Sequence, residues 1–519
     1  MKKRFIRNKK ARHASITAAL TVMIIAVTVM LNAVVSSLVV RYGWYGYMVG
    51  NPAFDVTEDC YTLLGNAFDD VKKKDGKTPE VRILFCDMEE KVSSFEHANY
   101  YLYYTMKDLC GRFDNIKVEY VDIFTNPTDE LRSYTQTGII DPVTGEEVYQ
   151  PLGPSSVVVT CGDDYHRVYD GVEFYTYESD SASTPWAYSG EKKMAAAILR
   201  AIDTKEHFAY FLVNHGEAFY DYELVNLLDE AGYTVNKLDL YNEGIPENCE
   251  LIVSYNPKSD LVADEVSEKS EVEMLDRFLA EDGHSLLVFL DKGTPKMPNF
   301  EKYLNEWGVN ADYAERGGVP YRHTVQDNSQ TLTSDGYTIY GERVGAVSEK
   351  WVGDSDFVVF GNATSLSVSD MGYRSNSDGT YSTTDGKRTL YPLYQSSDSA
   401  VAWANGVIVD SGNAMMMSLT EQKNTNGSSY VGVVSSTKFG SLDYVQSAVY
   451  GNSNTLFYLI ERIGDNRTPL GLTIKPFESY EISTITTSEM LAWTLTLTIT
   501  PAVVIITAAV IVLVKRRRA

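Results

Sequence analysis

The sequence predicts an α/β fold: two α/β domains with a β-rich insertion, flanked by two transmembrane helices. Short apolar runs such as residues 251–255 and 285–290 alternate with helical stretches, which is typical of parallel strands covered on both faces. Residues 311–429 differ, because Ser, Thr, Gly, Asp and Tyr dominate there and the β-type runs are short. Two long apolar segments, residues 16–40 and 490–514, lie on either side of all this.

Each apolar segment is long enough to cross a hydrocarbon core of about 30 Å as a helix. Basic residues flank both segments on the terminal side, in residues 1–15 and 515–519. Flanks rich in Lys and Arg stay in the cytoplasm, so both termini are predicted to be cytoplasmic and residues 41–480 extracellular. The first segment is longer than the apolar core of a signal peptide, and no small-residue cleavage site follows it, which favours an uncleaved anchor.

The charge balance of the part predicted to lie outside is strongly acidic. Residues 1–40 and 490–519 hold eleven of the 46 Lys and Arg and none of the 70 Asp and Glu, which leaves 35 basic against 70 acidic residues between them. Such a surface repels nucleic acid and anionic lipid headgroups, so no nucleic-acid partner is expected. The five cysteines are widely spaced, without a C-x-x-C pair, and predict neither a disulfide framework nor a metal site.

Between the two apolar segments, the composition and the predicted secondary structure divide the chain into successive regions. The predicted order is a juxtamembrane segment (41–78) with a short helix at 58–74, a first α/β domain (79–203), the first part of a second α/β domain (204–310), the β-rich insertion (311–429) and the closing part of the second domain (430–480).

The sequence motifs typical of nucleotide binding, zinc proteolysis and serine hydrolysis are absent. There is no G-x-x-x-x-G-K-[ST] loop, no G-x-G-x-x-G opening a helix after a strand, no H-E-x-x-H and no G-x-S-x-G. The sequence therefore predicts a protein that neither hydrolyses nucleotides nor carries a readable catalytic motif, and it predicts no cofactor and no metal.

The candidate crevice residues follow predicted strands. His215 and Glu217 come after a predicted strand at 208–213, and Asp291 comes after the strand at 285–290. In open parallel sheets, ligands bind beyond the carboxyl ends of the strands. His215 could act as acid, base or ligand with Glu217 holding it. The alternative is a tight turn, in which Gly216 frees the backbone and Glu217 favours the start of the next helix.

A candidate membrane contact lies in the second apolar segment. Thr494, Thr498 and Pro501 are tolerated in a membrane helix when a neighbouring helix covers them. They indicate packing against another membrane protein, although an ordinary span with some threonine explains them as well.

One pattern runs in order through four stretches of the sequence, residues 207–240, 245–265, 274–291 and 429–463. The pattern begins with a strand that leads into a Gly-Glu turn at 216–217, and a strand that starts with Leu-Ile-Val at 251–253 follows. Next comes Leu-Leu-Val at 286–288, which leads to Asp291. The pattern ends with Gly-Asn at 451–452 and a helix. This pattern resembles the GldG-like auxiliary component of Gld-type ABC transport systems, a family associated with gliding motility. The resemblance is weak over residues 50–130, and here His284 replaces the second glycine of the family's G-G pair.

The resemblance implies a non-catalytic extracytoplasmic subunit that works with a separate ABC permease and ABC ATPase and binds an unknown extracellular ligand. It also implies that the second domain resembles the flavodoxin-like sheet of class I glutamine amidotransferases. Those enzymes need a nucleophilic Cys after a strand, whereas here Asn256, Pro257 and Lys258 follow the strand at 251–255, which favours binding over catalysis. Gliding itself is not implied.

Two other functions remain open from the sequence. One is an enzyme that processes envelope glycan or peptide with His215, Glu217 and Asp291 in its crevice. The other is a sensory or structural ectodomain.

Overall fold

The computed structural model describes Met23, Met30 and residues 55–477, with gaps at residues 127, 142–143, 145, 163–164, 178–183, 204, 218–221, 264–269 and 465. The chain separates into two compact units, Met1–Asp55 and Val56–Ala519, and the helices and strands between residues 58 and 476 all belong to the second unit. Both predicted membrane segments lie outside the described residues, except for Met23 and Met30, which are helical. Within the described part of the chain, no helix combines the length and apolar character needed to cross a bilayer.

Helices and strands are interspersed up to about residue 310, and strands dominate beyond it. The helices are Glu58–Asp75, Glu89–Val92, Tyr100–Arg112, Asp129–Ser133, Gly190–Ala201, Tyr222–Glu230, Leu240–Glu243, Glu271–Leu279, Pro298–Glu306, Gly345–Val352, Leu442–Val445 and Asn452–Ile463, with 3-10 turns at Gly171–Phe174 and Thr437–Gly440. The strands are β1 Val81–Phe85, β2 Ile116–Tyr120, β3 Gln136–Ile140, β4 Glu147–Tyr149, β5 Val157–Cys161, β6 Tyr165–Tyr169, β7 Tyr175–Thr176, β8 Ala187–Tyr188, β9 His207–Leu212, β10 Tyr233–Leu238, β11 Leu251–Tyr255, β12 Ser285–Phe289, β13 Val309–Ala311, β14 Tyr313–Arg316, β15 Val319–Arg322, β16 Thr324–Gln326, β17 Thr338–Arg343, β18 Val358–Gly361, β19 Leu366–Val368, β20 Tyr373–Ser375, β21 Tyr381–Thr383, β22 Arg388–Gln395, β23 Val401–Ala404, β24 Val407–Ser411, β25 Met415–Lys423, β26 Ser428–Val434 and β27 Lys475–Pro476. This order confirms the mixed α/β class predicted from the apolar runs.

The first module is built on a four-stranded sheet of order β2-β1-β5-β6. Strands β1 and β2 are parallel, whereas β5 runs antiparallel to both β1 and β6. The predicted juxtamembrane helix is present as Glu58–Asp75. It begins at Thr57, whose side-chain oxygen accepts the N–H of Cys60 at 3.3 Å, and it ends at Gly76 in the left-handed conformation (φ 74°). Its buried face, including Leu64, packs into the core of this module.

The two ends of the described chain meet on one buried carboxylate of the first module, Glu191. The N–H and side-chain hydroxyl of Thr57 donate to Glu191 Oε1 at 2.7 and 2.6 Å, and Lys475 Nζ lies 2.5 Å from Glu191 Oε2. Strand β27, which contains Lys475, pairs with β8. The segments that enter and leave the described region are therefore anchored at one point, although 134 residues separate Thr57 from Glu191 in the chain.

The second module contains a 13-stranded sheet among the described residues. Strands β10-β9-β11-β12-β26 lie side by side and are all parallel, so the first five strands have the order 2-1-3-4-5 of a doubly wound sheet. Strands β25, β22, β17 and β18 then continue the same sheet in antiparallel fashion. Region 311–429 is rich in strands, as expected, but several of them extend this sheet rather than forming a separate layer.

Helices cover the parallel half of this sheet on both faces, as its apolar strands predict. Alternate residues of β11 point to opposite faces, so Val253 belongs to one hydrophobic core and Ile252 to the other. The first core includes helices Tyr222–Glu230 and Asn452–Ile463. The second is packed by two other helices, Glu271–Leu279 and Pro298–Glu306.

Ion pairs join the two modules. Arg167 of β6, which is 4% exposed, pairs with Asp229 at 2.6 Å, and Arg200 pairs with the same carboxylate at 3.2 Å. Lys192 reaches Glu230 at 2.8 Å. The carboxylates lie on a helix of the second module, so each of these contacts crosses from one module to the other.

Candidate functional site

The carboxyl edge of the parallel strands forms the candidate site. The strand order reverses between β9 and β11, and ligands of doubly wound sheets bind in the crevice at such a reversal. His215, Asn256, Asp291 and Thr437 follow β9, β11, β12 and β26, respectively. The topology therefore brings the ends of four strands to one edge.

His215 lies between two carboxylates. Its Nδ1 is 3.0 Å from Glu217 Oε1, and its Nε2 is 3.1 Å from Glu271 Oε2. The side chains of both glutamates are 1% exposed. Glu271 begins the helix Glu271–Leu279, 56 residues after the histidine, and also accepts the N–H of Val262 at 2.7 Å. No local pattern in the sequence identifies Glu271 as this partner.

The two carboxylates stabilise the protonated form of His215. Burial alone would lower the pKa of His215, but the hydrogen bonds and negative charges of Glu217 and Glu271 outweigh burial and raise it to about 10. Both ring nitrogens are occupied, and the ring carries its proton at neutral pH, so His215 cannot take up a proton there as a general base. Gly216 adopts a left-handed backbone (φ 74°), as the turn interpretation requires of it, whereas the carboxylate of Glu217 bonds His215.

The ion triad should make stability depend on pH above neutrality. The charged form of His215 is favoured in the folded state, so its contribution is complete below about pH 6.5, the pKa of an unfolded histidine, and is lost as pH rises toward the folded value. We expect the difference in thermal midpoint between the full-length protein and its His215→Gln variant to shrink steadily from pH 6 to pH 9. A difference that stays constant over that range would show that His215 is not charged in the fold.

Asp291 is a hydrogen-bond acceptor that joins three strand ends. Its Oδ1 accepts the N–H of Gly293 at 2.6 Å, and its Oδ2 accepts Asn256 Nδ2 at 3.1 Å and the hydroxyl of Thr437 at 2.9 Å. The side-chain oxygen of Asn256 in turn accepts the hydroxyl of Thr294 at 3.1 Å. This network holds the loop after β12 against the turn after β11.

The turn that follows β11 links the two clusters. The carbonyl oxygen of His215 accepts the N–H groups of Lys258 at 2.7 Å and Ser259 at 2.9 Å. The ammonium group of Lys258 donates to the side-chain oxygen of Asn256, and the amide nitrogen of the same Asn256 side chain donates to Asp291. The three residues predicted for the crevice therefore lie along one edge, but as two neighbouring clusters rather than one catalytic array.

Sequence reasoning identified Asn256 and Lys258 only as residues that stand where an amidotransferase has its Cys, and it missed Thr437. Asn256 carries a usable signal, because it stands directly between an apolar strand and a proline, and Asn is one of the few residues besides Gly that adopts a left-handed backbone. Its φ is 54° in the structure. Over the residues that the structure describes, no group of three metal-ligating side chains is close enough to hold an ion. The predicted membrane contact at Thr494, Thr498 and Pro501 lies outside the described residues.

The five cysteines lie away from this edge. Four belong to the first module, and Cys249 precedes β11 at the opposite end of the strand. Burial raises the pKa of all five thiols, and the pKa of both Cys60 and Cys86 reaches about 12. The thiols are therefore protonated at neutral pH, which is the unreactive form.

No protein-family model matches the chain, and no curated protein matches it significantly. Any functional assignment rests on the sequence pattern and on the geometry of the carboxyl edge.

Proposed function

We propose that the chain is a non-catalytic, extracytoplasmic auxiliary subunit of an ABC transport system. It would be anchored in the cell membrane by two spans, with both termini in the cytoplasm. Its described residues would bind a ligand or partner outside and work with a separate permease and ATPase. The proposal combines the sequence pattern, the charge flanks and the geometry of the carboxyl edge.

The observation that carries the non-catalytic role is the turn at Asn256. In α/β enzymes with a covalent nucleophile, that nucleophile stands on a sharp, strained turn directly after a strand. Here such a turn follows β11, with φ 54°, but it holds an amide that is hydrogen-bonded to Asp291 and Thr294. An amide is no nucleophile, and the nearby His215 has both nitrogens engaged. The 2-1-3-4-5 strand order, which is that of flavodoxin-like sheets, supports the likeness to an amidotransferase-type domain without its chemistry.

A coupling role is supported by how the chain enters and leaves the first module. The sequence has no phosphate loop, so energy for transport must come from another subunit through the membrane. Thr57 and Lys475, which lie on the two segments leading toward the predicted spans, both contact Glu191. The two segments that lead toward the predicted spans are therefore tied to the same residue of the first module.

Co-purification tests the proposal. Full-length protein extracted in mild detergent should bring down a permease and an ATP-binding cassette subunit. Replacing Thr494 and Thr498 by Leu should weaken that association while leaving the thermal midpoint unchanged, because small polar residues let membrane helices approach and bond. Thr484→Leu and Thr486→Leu, at positions before the predicted span, are the matched controls.

Topology is tested alongside in the same cells. Reporters fused at Met1 and Ala519 that are active only outside the cell should give no signal. If an ABC complex is never recovered, even after crosslinking, the transporter assignment fails and a sensory or structural ectodomain takes its place.

A further inference from the structure

Four apolar side chains are exposed at one edge of the sheet in the first module. Met88 and Phe95 belong to the segment that follows β1, Phe124 follows β2, and Val172 follows β6. Their exposed fractions lie between 42% and 74%. Strand β1 is parallel to β2, and β5 is antiparallel to both β1 and β6, so β1, β2 and β6 all end at the same edge. We call the surface defined by these four residues the apolar edge.

Polar contacts tie the loops of the apolar edge together. The ammonium group of Lys91 donates to Asp87, after β1, at 2.8 Å and lies 4.0 Å from the carboxylate of Asp122, after β2. The side chain of Asn99 donates to the carbonyl oxygen of Ser155, just before β5, at 2.9 Å. The loops that carry the exposed side chains are therefore held beside one another and form one surface.

Aromatic rings connect the apolar edge to the point where the described chain ends. The ring centre of Phe95 is 5.3 Å from that of Tyr100, and Tyr100 is 5.3 Å from Tyr101. Tyr101 in turn is 5.1 Å from Phe477, which is the last described residue. The chain therefore leaves the described region beside the apolar edge.

The other end of the described chain lies close by. Thr57 contacts the Glu191 carboxylate that also pairs with Lys475, two residues before Phe477. Only 14 residues, 41–54, separate the described chain from the first predicted span, and 12 residues, 478–489, separate it from the second. Fourteen residues reach at most about 50 Å when fully extended. Two connections this short, starting from one edge, favour an orientation in which that edge faces the bilayer.

We infer that the apolar edge lies against the outer surface of the lipid bilayer, with the side chains of Met88, Phe95 and Phe124 at the level of the headgroups. Exposed apolar patches mark sites of membrane or protein contact, and aromatic residues are favoured at the boundary between water and hydrocarbon. Tyr100 and Tyr104, whose ring centres are 5.2 Å apart, add such residues beside Phe95.

The headgroups that fit this edge are those without net charge. Glu89, Glu90 and Glu96 are exposed on the same segment as Met88 and Phe95. Their carboxylates repel anionic headgroups, so the contact depends on burial of apolar surface and not on charge attraction. A zwitterionic lipid such as phosphatidylcholine is therefore the matching surface.

The inference rests on the proposed function only for the two membrane spans. It adds a contact between the described residues and the lipid itself. Recovery of the protein with lipid vesicles tests the spans, co-purification tests the transporter assignment, and the measurement below tests the apolar edge. Failure of the inference and failure of the proposed function are therefore separate results.

The test measures how close the apolar edge comes to lipid headgroups in the full-length protein. A fluorophore is attached at Thr125→Cys, next to Phe124, or at Glu80→Cys, before β1 at the opposite edge. Each protein is reconstituted in phosphatidylcholine vesicles in which some headgroups carry a nitroxide quencher, and the parent protein treated alike gives the background from its own thiols. We expect strong quenching at Thr125→Cys and little at Glu80→Cys. The quenching should survive high salt, because salt screens contacts between charges and not apolar ones.

Removal of the aromatic side chains tests whether they make the contact. Replacing Phe95 and Phe124 by Ser in the labelled Thr125→Cys protein should reduce quenching toward the background. The matched control replaces Phe357 and Met371 by Ser, two exposed apolar residues of the second module, and should leave quenching unchanged. Equal quenching at the two label positions, quenching that high salt abolishes, quenching that survives the loss of both phenylalanines, or equal loss in the two double variants would overturn the inference. The apolar edge would then be left to a protein partner such as the permease.

Discussion

Replacing Glu191 by alanine should lower the free energy of unfolding by about 3–5 kcal/mol, the range for removing one partner of a buried ion pair. Glu191 is 3% exposed and accepts from the N–H and hydroxyl of Thr57 while pairing with Lys475. Without it, the first helix loses the anchor of its N-terminal residue and β27 loses its ionic contact. Both ends of the described chain should loosen together.

Local labelling gives this prediction a sharper measurement than a melting curve. Cys60 lies in the helix that starts after Thr57, and burial together with the charge of Glu191 raises the pKa of its thiol, so alkylation would respond to the lost charge as well as to loosening. Hydrogen exchange separates the two effects. In the Glu191→Ala variant, it should be faster both in the first turn of this helix and in β27. Glu191→Gln keeps an acceptor for Thr57 but not the charge, so its effect should be intermediate. Glu80→Ala removes an exposed carboxylate just before β1 and is the control. Unchanged hydrogen exchange in Glu191→Ala would mean that the two ends are held by other contacts.

Leu287→Ala should cost about 2–5 kcal/mol, as buried leucine truncations do. Leu287 lies in the middle of β12, is 2% exposed and packs in the core on the face covered by the helix Asn452–Ile463. Its side chain fills the space above Gly432 of β26, where a β-carbon would stand 2.6 Å from Leu287 Cδ2. Gly432→Ala alone should therefore destabilise as well, by about 1–3 kcal/mol, through overpacking.

The losses in the free energy of unfolding caused by Leu287→Ala and Gly432→Ala should not be additive. In the double variant the methyl group of Ala at position 432 enters the space vacated at position 287, so the combined loss should be smaller than the sum of the single losses. Denaturant unfolding of the four proteins measures the coupling directly. Strict additivity would show that the side chain of Leu287 does not occupy the space over Gly432, and an unchanged melt in Leu287→Ala would place β12 at the periphery.

The sequence by itself determined the elements whose signal is local. The apolar run at residues 251–255 and the helix predicted at 58–74 appear as Leu251–Tyr255 and Glu58–Asp75. Burial on both faces makes a strand apolar throughout, and burial on one face makes a helix amphipathic, so these patterns are written in consecutive residues. The start of the helix Tyr100–Arg112, in contrast, depends on a distant contact. The buried Asn99 before it bonds the distant carbonyl of Ser155 at 2.9 Å, a contact that no local pattern records.

Only the tertiary structure decided which elements meet and which charges pair. Strands β22 and β25, which lie in the Ser- and Thr-rich region 311–429, could have formed a separate insertion, but they continue the parallel sheet because the edge of β26 pairs with β25 along its length. The sequence shows His215, but the charge state of its ring depends on Glu271, which lies in a helix that begins 56 residues later in the chain. A pKa depends on the charges within a few ångströms in space, whatever their separation along the chain, so a single sequence shows a titratable residue without showing its partners.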